Sequence, residues 1–396
     1  MKKIKVLTIA FFLFVIAFFP IATFLAEKKG FSASEGRDLS RAPEFTVAGY
    51  IDKSFNKNFE VYFQDHFYKR LGLSRVYFSL ERSLGRNQIN NTMIGAEEQL
   101  FYTPVRSLAS AENFHDKFSL QINQLVEETK PANIPVHLFV LPSKPHTLND
   151  LYNPTSQDQF YREELNTMTQ WVNPYVTVHD VGKEWREKYT TNDITKFFYK
   201  TDHHWNGLGA YEGYTNIVGT LQEYDHSIQE PLSTDHLNNI CAKDTAYFEG
   251  SHNRVILYQV ASSDEYICNW EIDNFNRFEE ITYHTQAGDI AQGADIFSNN
   301  IEGEIINYAR LTTGDFPYMY FKNNMPSNEI NALIIRDSYT NAITSTLAAH
   351  FNEAHLLDMR HYTGNLAELI NENDINLILL LHNSVSINSN VATYYK

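Results

Sequence analysis

Asn331-Ala-Leu-Ile-Ile-Arg-Asp-Ser338-Tyr-Thr-Asn-Ala-Ile343 is an apolar run that stops at an Asp-Ser pair and passes into helix-forming sequence. It reads as strand, sharp turn and helix. A serine at such a turn points its hydroxyl out of the carboxyl end of a parallel sheet, where the free N–H groups of the helix start can hold an oxyanion. Ser338 is thus a candidate nucleophile, although Asp337 and Ser338 can equally be read as caps of the following helix.

A second stretch, Thr201-Asp202-His203-His204-Trp205-Asn206, supplies what an alcohol lacks. Serine is a poor nucleophile at neutral pH unless a base takes its proton, and histidine is the side chain suited to that work. In Asp202-x-His204 the carboxylate lies two residues before the imidazole, close enough in a turn to accept from one ring nitrogen and leave the other for Ser338. His203 then has a supporting role, and Trp205 is either core or a sugar-stacking face. Asn206 caps a helix starting at Gly207. Asp202, His203 and His204 also form a possible ligand cluster for a metal-dependent hydrolase. Against that stand the missing second Asp/His-rich motif and the otherwise unexplained serine turn, so no metal and no cofactor is expected.

Around these stretches runs a βα alternation. Residues 110–128 have helical apolar spacing, and Ile134-Pro-Val-His-Leu-Phe-Val-Leu141 is apolar on nearly every residue, as a strand buried on both faces would be. Pro142-Ser143-Lys144 leaves the carboxyl end of that strand, which makes Lys144 a candidate contact against the default of an exposed loop lysine. A helix over 159–172 and strands at 175–181, 355–359 and 375–383 extend the alternation, with Asn383 at a strand end. Residues 225–330 are rich in Tyr, Asn, Asp and Ser, with brief apolar alternations, and read as an inserted β-rich segment. Cys241 and Cys268, the only cysteines, fall inside it and suggest one disulfide in an extracellular compartment; two buried thiols are the alternative.

Upstream, Lys2, Lys3 and Lys5 precede an apolar run from Val6 to Ala26, long enough as a helix to cross a bilayer. We read residues 1–29 as an uncleaved anchor with its N-terminus inside, a cleaved signal peptide being the alternative, and place the rest of the chain outside the cytoplasm. Residues 30–60 read as a tether and 61–396 as the catalytic domain. Apolar spacing from Phe59 to Leu80 predicts one amphipathic helix packed on a core. A net charge of −16 over 396 residues argues against a nucleic-acid partner and against reliance on anionic headgroups.

The chain resembles the DHHW family of exported bacterial proteins, a branch of the SGNH hydrolase-like superfamily related to the alginate O-acetyltransferases. The motif stands as Asp202-His203-His204-Trp205 after Tyr199-Lys200-Thr201. Asp65-x-Phe67-x-x-Arg70, Gly95 with Leu100-Phe101, Pro142-Ser143-Lys144, Gly250-Ser251, Asp337-Ser338-Tyr339 and Asp358-Met359-Arg360 with Tyr362 accompany it. The resemblance implies an α/β, flavodoxin-like SGNH fold with a parallel sheet flanked by helices. It implies Ser338 as nucleophile, His204 as base and Asp202 as orienting acid, passing an acyl group, usually acetyl, to a hydroxyl of an extracellular polysaccharide, with a membrane-bound MBOAT-class acyltransferase as donor. Arg336 stands where the superfamily motif has glycine. His203, Trp205, Lys144, Arg336, Tyr339, Arg360 and Asn383 are the expected substrate or oxyanion contacts. A non-catalytic glycan-binding or scaffold protein of a polysaccharide-modification complex is the competing reading.

Overall fold

A computed structural model describes residues 2–102, 108–148, 151, 172–262, 264–297, 301 and 303–387; the helix expected over 159–172 lies, but for Val172, outside them. The chain divides into two compact units, residues 1–90 with 253–259, and residues 91–252 with 260–396. The first unit therefore runs past the expected tether boundary at residue 60.

In the first unit, helix Lys2–Leu25 holds one segment, Lys3–Leu25, long and apolar enough to cross a membrane. Ser54–Asp65 and Arg70–Ser83 form two helices, not the single one expected. The break falls at His66 to Lys69, where Lys69 takes a left-handed backbone (φ 56°) that a continuous helix cannot accommodate.

The second unit is built on an eight-stranded sheet. Its strands are β1 (Val136–Leu141), β2 (Val176–Asp180), β3 (Phe278–His284), β4 (Ile290–Gln292), β5 (Tyr318–Asn323), β6 (Asn331–Arg336), β7 (Glu353–Leu357) and β8 (Leu377–Asn383), in the order β4-β3-β5-β7-β6-β8-β1-β2. From β7 to β2 every pairing is parallel. The central strands β1 and β8 are buried at every residue, because helices cover both faces. Leu138, Val140, Leu333, Ile335, Ile378 and Leu380 point to one core with Phe118, Ile122 and Leu125 of helix Leu108–Thr129. Phe139, Leu141, Ala332, Ile334, Leu379 and Leu381 point to the other, with Tyr214, Ile217, Val218 and Leu221 of helix Gly207–Tyr224. That division is the two-residue period of a strand written into packing.

Residues 225–330 divide in two. Leu237–Cys241 pairs antiparallel with Cys268–Ile272, and the cysteines facing each other in that pair are disulfide-bonded. Downstream, β3, β4 and β5 lie in the main sheet, joined antiparallel to β7 through β5. Replacing both cysteines with serine is expected to lower stability by about 3 kcal/mol through the freed unfolded loop, read as a lower denaturant midpoint; an unchanged midpoint would show the bond to be energetically idle.

Candidate active site

β6 ends at Arg336, and the chain turns at Asp337-Ser338 into a short 3₁₀ segment, Ser338–Ile343. Asp337 holds this turn to the neighbouring strand end. Its Oδ1 accepts from the Tyr339 amide at 2.9 Å, while Oδ2 accepts from the Asn383 amide at 2.8 Å and the Asn383 side chain at 2.7 Å. Ser338 is left partly exposed at the carboxyl edge of the parallel strands.

The histidine segment reaches the same edge from a loop closed by a bridge between Phe198 and Trp205. Asn206 caps the next helix, accepting from the amides of Leu208 and Gly209. Three groups grip the loop from behind. Glu265 accepts from the amides of Lys200 and Thr201 at 2.7 and 2.8 Å, and Lys144 Nζ donates to the carbonyls of Leu100 and Lys200 at 3.0 and 2.8 Å. Burial pulls the Lys144 ammonium down to about 7 and pushes the Glu265 carboxyl up. Gly250 is the third; a Cβ there would fall 2.3 Å from the Thr201 carbonyl oxygen. Gly250→Ala is accordingly expected to shift the loop by a fraction of an ångström or more and to cost about 10²-fold in kcat/KM. Unchanged kinetics would show that the loop tolerates the shift.

At the edge, His204 Nδ1 lies 2.7 Å from Asp202 Oδ1, and His204 Nε2 lies 2.8 Å from Ser338 Oγ. Burial by itself would raise the Asp202 carboxyl. The neighbouring imidazoles of His203 and His204, the ring hydrogen bond and the Ser251 amide, 2.7 Å from Oδ2, outweigh it and hold the group well below the usual carboxylate range. An ionised carboxylate can only accept, so Nδ1 carries the ring hydrogen and Nε2 is the free lone pair facing the serine hydroxyl.

Aromatic residues brace the two segments. Tyr308 stacks on the His204 imidazole with centroids 3.7 Å apart and planes 6° from parallel, its hydroxyl 3.0 Å from the carbonyl oxygens of both Ser338 and Tyr339. The Trp205 indole donates to the Tyr339 carbonyl at 3.0 Å, and the Tyr339 hydroxyl donates to the His203 carbonyl. Tyr308 lies in the polar middle of the chain, where the sequence carries no signal for it.

Ser338, His204 and Asp202 are thus brought together, with His203 beside them, its Nδ1 2.8 Å from Ser251 Oγ. The other candidates take internal positions. Trp205 and Tyr339 are buried, as are Lys144 and Arg336. Arg336 donates to Asn341 Oδ1, and Asn341 in turn donates to Asp315 at 2.8 Å. Arg360 pairs with Asp358 and, at 3.1 Å, with Asp315. Asn383 spends its side-chain amide on Asp337 and Ser386. Asp202, His203 and His204 offer ligand atoms within 4.8 Å of one another, but both nitrogens of His204 already face Asp202 and Ser338. A cation there would have to displace one of those contacts.

No protein-family model and no curated protein matches the chain. Among solved structures, Bacillus cereus PatB1 with a sulfonyl adduct aligns at 26% identity with a TM-score of 0.68, covering 78% of this chain and all of that one. A DHHW family protein from Eubacterium siraeum aligns at 17% identity with a TM-score of 0.58, over 77% of this chain and 94% of that one. The O-acetyltransferase domain of Pseudomonas putida AlgJ aligns at 11% identity with a TM-score of 0.46, over 75% and 92%. The likeness to the DHHW family thus holds for the fold as well as for the four-residue motif.

Proposed function

We propose that this DHHW-like chain is an extracytoplasmic serine acyltransferase of SGNH type, carrying an acetyl group on Ser338 to a hydroxyl of a cell-surface or exported polysaccharide. The observation that carries this reading is the continuous line of contacts from Asp202 through His204 to a partly exposed serine, at 2.7 and 2.8 Å. As Ser338 Oγ attacks the acyl carbonyl, its proton passes to His204 Nε2, and Asp202 stabilises the imidazolium. The Ser338 amide faces the developing oxyanion. Collapse expels the donor's leaving group, which takes the proton from His204. The acceptor hydroxyl then attacks acyl-Ser338, losing its proton to the same nitrogen, and the ester leaves with serine restored. Water in place of the sugar would make the enzyme an esterase.

The donor is a membrane-bound MBOAT-class acyltransferase on this reading, and the Lys3–Leu25 helix is retained as the anchor that keeps the ectodomain beside it. The sulfonyl adduct on PatB1 supports the chemistry, because sulfonyl electrophiles are trapped by activated nucleophiles. Phenylmethanesulfonyl fluoride is accordingly expected to add once, on the peptide bearing Ser338, as read by peptide mass spectrometry. Labelling elsewhere that abolishes acetyl transfer, or acetyl transfer that continues after full modification of Ser338, would overturn the assignment. A stoichiometric metal with chelator-sensitive turnover would point to the hydrolase alternative.

A further inference from the structure

Helix Arg70–Ser83 is packed inside out. At 100° per residue, Leu73, Val76, Tyr77, Leu80 and the following Leu84 fall within a stripe of about 100°. That stripe was expected to pack on a core, yet these residues are 45, 69, 53, 54 and 66% exposed, while the acidic Glu81 is the helix's buried residue. An apolar face of this width on one element calls for a covering phase.

The rest of the unit indicates which one. Phe67 stacks on Phe19 at 5.4 Å, Tyr68 meets Phe18 edge-on at 6.1 Å, and the Tyr68 amide donates to Thr23 Oγ1 at 3.0 Å. Phe19 lies six residues before the end of the Lys3–Leu25 segment, about 9 Å along the helix axis. The turn that starts helix Arg70–Ser83 is therefore already at acyl-chain depth if Lys3–Leu25 spans a bilayer. From Lys69 to Arg86 the chain carries five basic residues and one acid, the reverse of its overall charge of −16. Apolar stripe, basic flanks and interfacial aromatics together are the marks of a helix lying in a membrane surface.

We infer that Arg70–Ser83 lies in the plane of the membrane crossed by Lys3–Leu25, its Leu73-Val76-Tyr77-Leu80-Leu84 face sunk into the boundary between anionic headgroups and acyl chains. The inference rests on the anchor being retained. It gives the first unit a second membrane contact beside Lys3–Leu25.

The test uses the full chain in vesicles of phosphatidylcholine and phosphatidylglycerol, with an environment-sensitive fluorophore placed in turn through Leu80→Cys, Phe12→Cys and Met325→Cys. The native cysteines are disulfide-bonded and do not react. Lipid-tethered doxyl groups are expected to quench the label at positions 80 and 12 several-fold and to spare position 325, with aqueous iodide giving the converse. If position 12 is quenched by lipid while position 80 is open to iodide, the surface helix is overturned and the anchor stands. If position 80 is shielded from both quenchers, the stripe is a protein interface and the inference fails. If position 12 is itself open to iodide, anchor and inference fall together.

Discussion

Ser338→Ala is expected to lower acetyl turnover by about 10⁴- to 10⁶-fold, measured on p-nitrophenyl acetate and on an oligosaccharide acceptor, with no acetylated enzyme trapped. The substitution removes the one oxygen that faces His204 Nε2 and leaves the framework that positions it untouched. Asp337 still caps the Tyr339 amide and holds Asn383, and neither contact uses the serine hydroxyl. The melting temperature should accordingly stay close to that of the parent. Retained turnover in a folded Ser338→Ala protein would remove the acyl-serine and return the site to the metal-dependent reading.

Asp202→Asn is expected to cost about 10⁴-fold in kcat. Asp202 accepts from the His204 ring, the His204 amide at 3.0 Å and the Ser251 amide, so all its neighbours are donors. An amide keeps the shape but supplies only one acceptor oxygen. If that oxygen stays on the Ser251 amide, the NH₂ group faces the imidazole and the stable tautomer turns its hydrogen toward Ser338, where a lone pair is needed. The imidazolium formed on attack also loses its counter-charge. The two substitutions are expected to be strongly non-additive, since either breaks the same proton path. A fall of less than about tenfold in folded Asp202→Asn would show that tautomer control does not limit the rate.

Several features of this chain were legible before any fold was known, and each is local. The strands β1, β6 and β8 show as unbroken apolar runs because both faces of a parallel sheet are covered. Asp202 and His204 are legible as a pair because two residues in a turn suffice to bring a carboxylate onto a ring nitrogen. The membrane-length helix is legible because bilayer thickness sets the number of apolar residues.

The environment of other residues is made by distant segments and is not legible locally. Lys144 looks like a loop lysine, yet it is closed in by the carbonyls of Leu100 and Lys200. Asn383 looks like an oxyanion donor at a strand end, yet it spends its amide on Asp337. Helix Arg70–Ser83 shows why periodicity alone is incomplete: the apolar spacing identifies the stripe but not the phase it faces.

By itself the sequence determined the unbroken apolar strands β1, β6 and β8 and the membrane-length helix, and placed a histidine within reach of its own neighbouring acid, since these follow from residue period and short-range reach. The tertiary structure alone decided that β3, β4 and β5 join the main sheet, that Tyr308 stacks on His204, and that Ser338 meets a ring nitrogen from a loop 134 residues away. Such pairings depend on which strand edges and core faces remain open once the rest has packed, and no short window of residues encodes that.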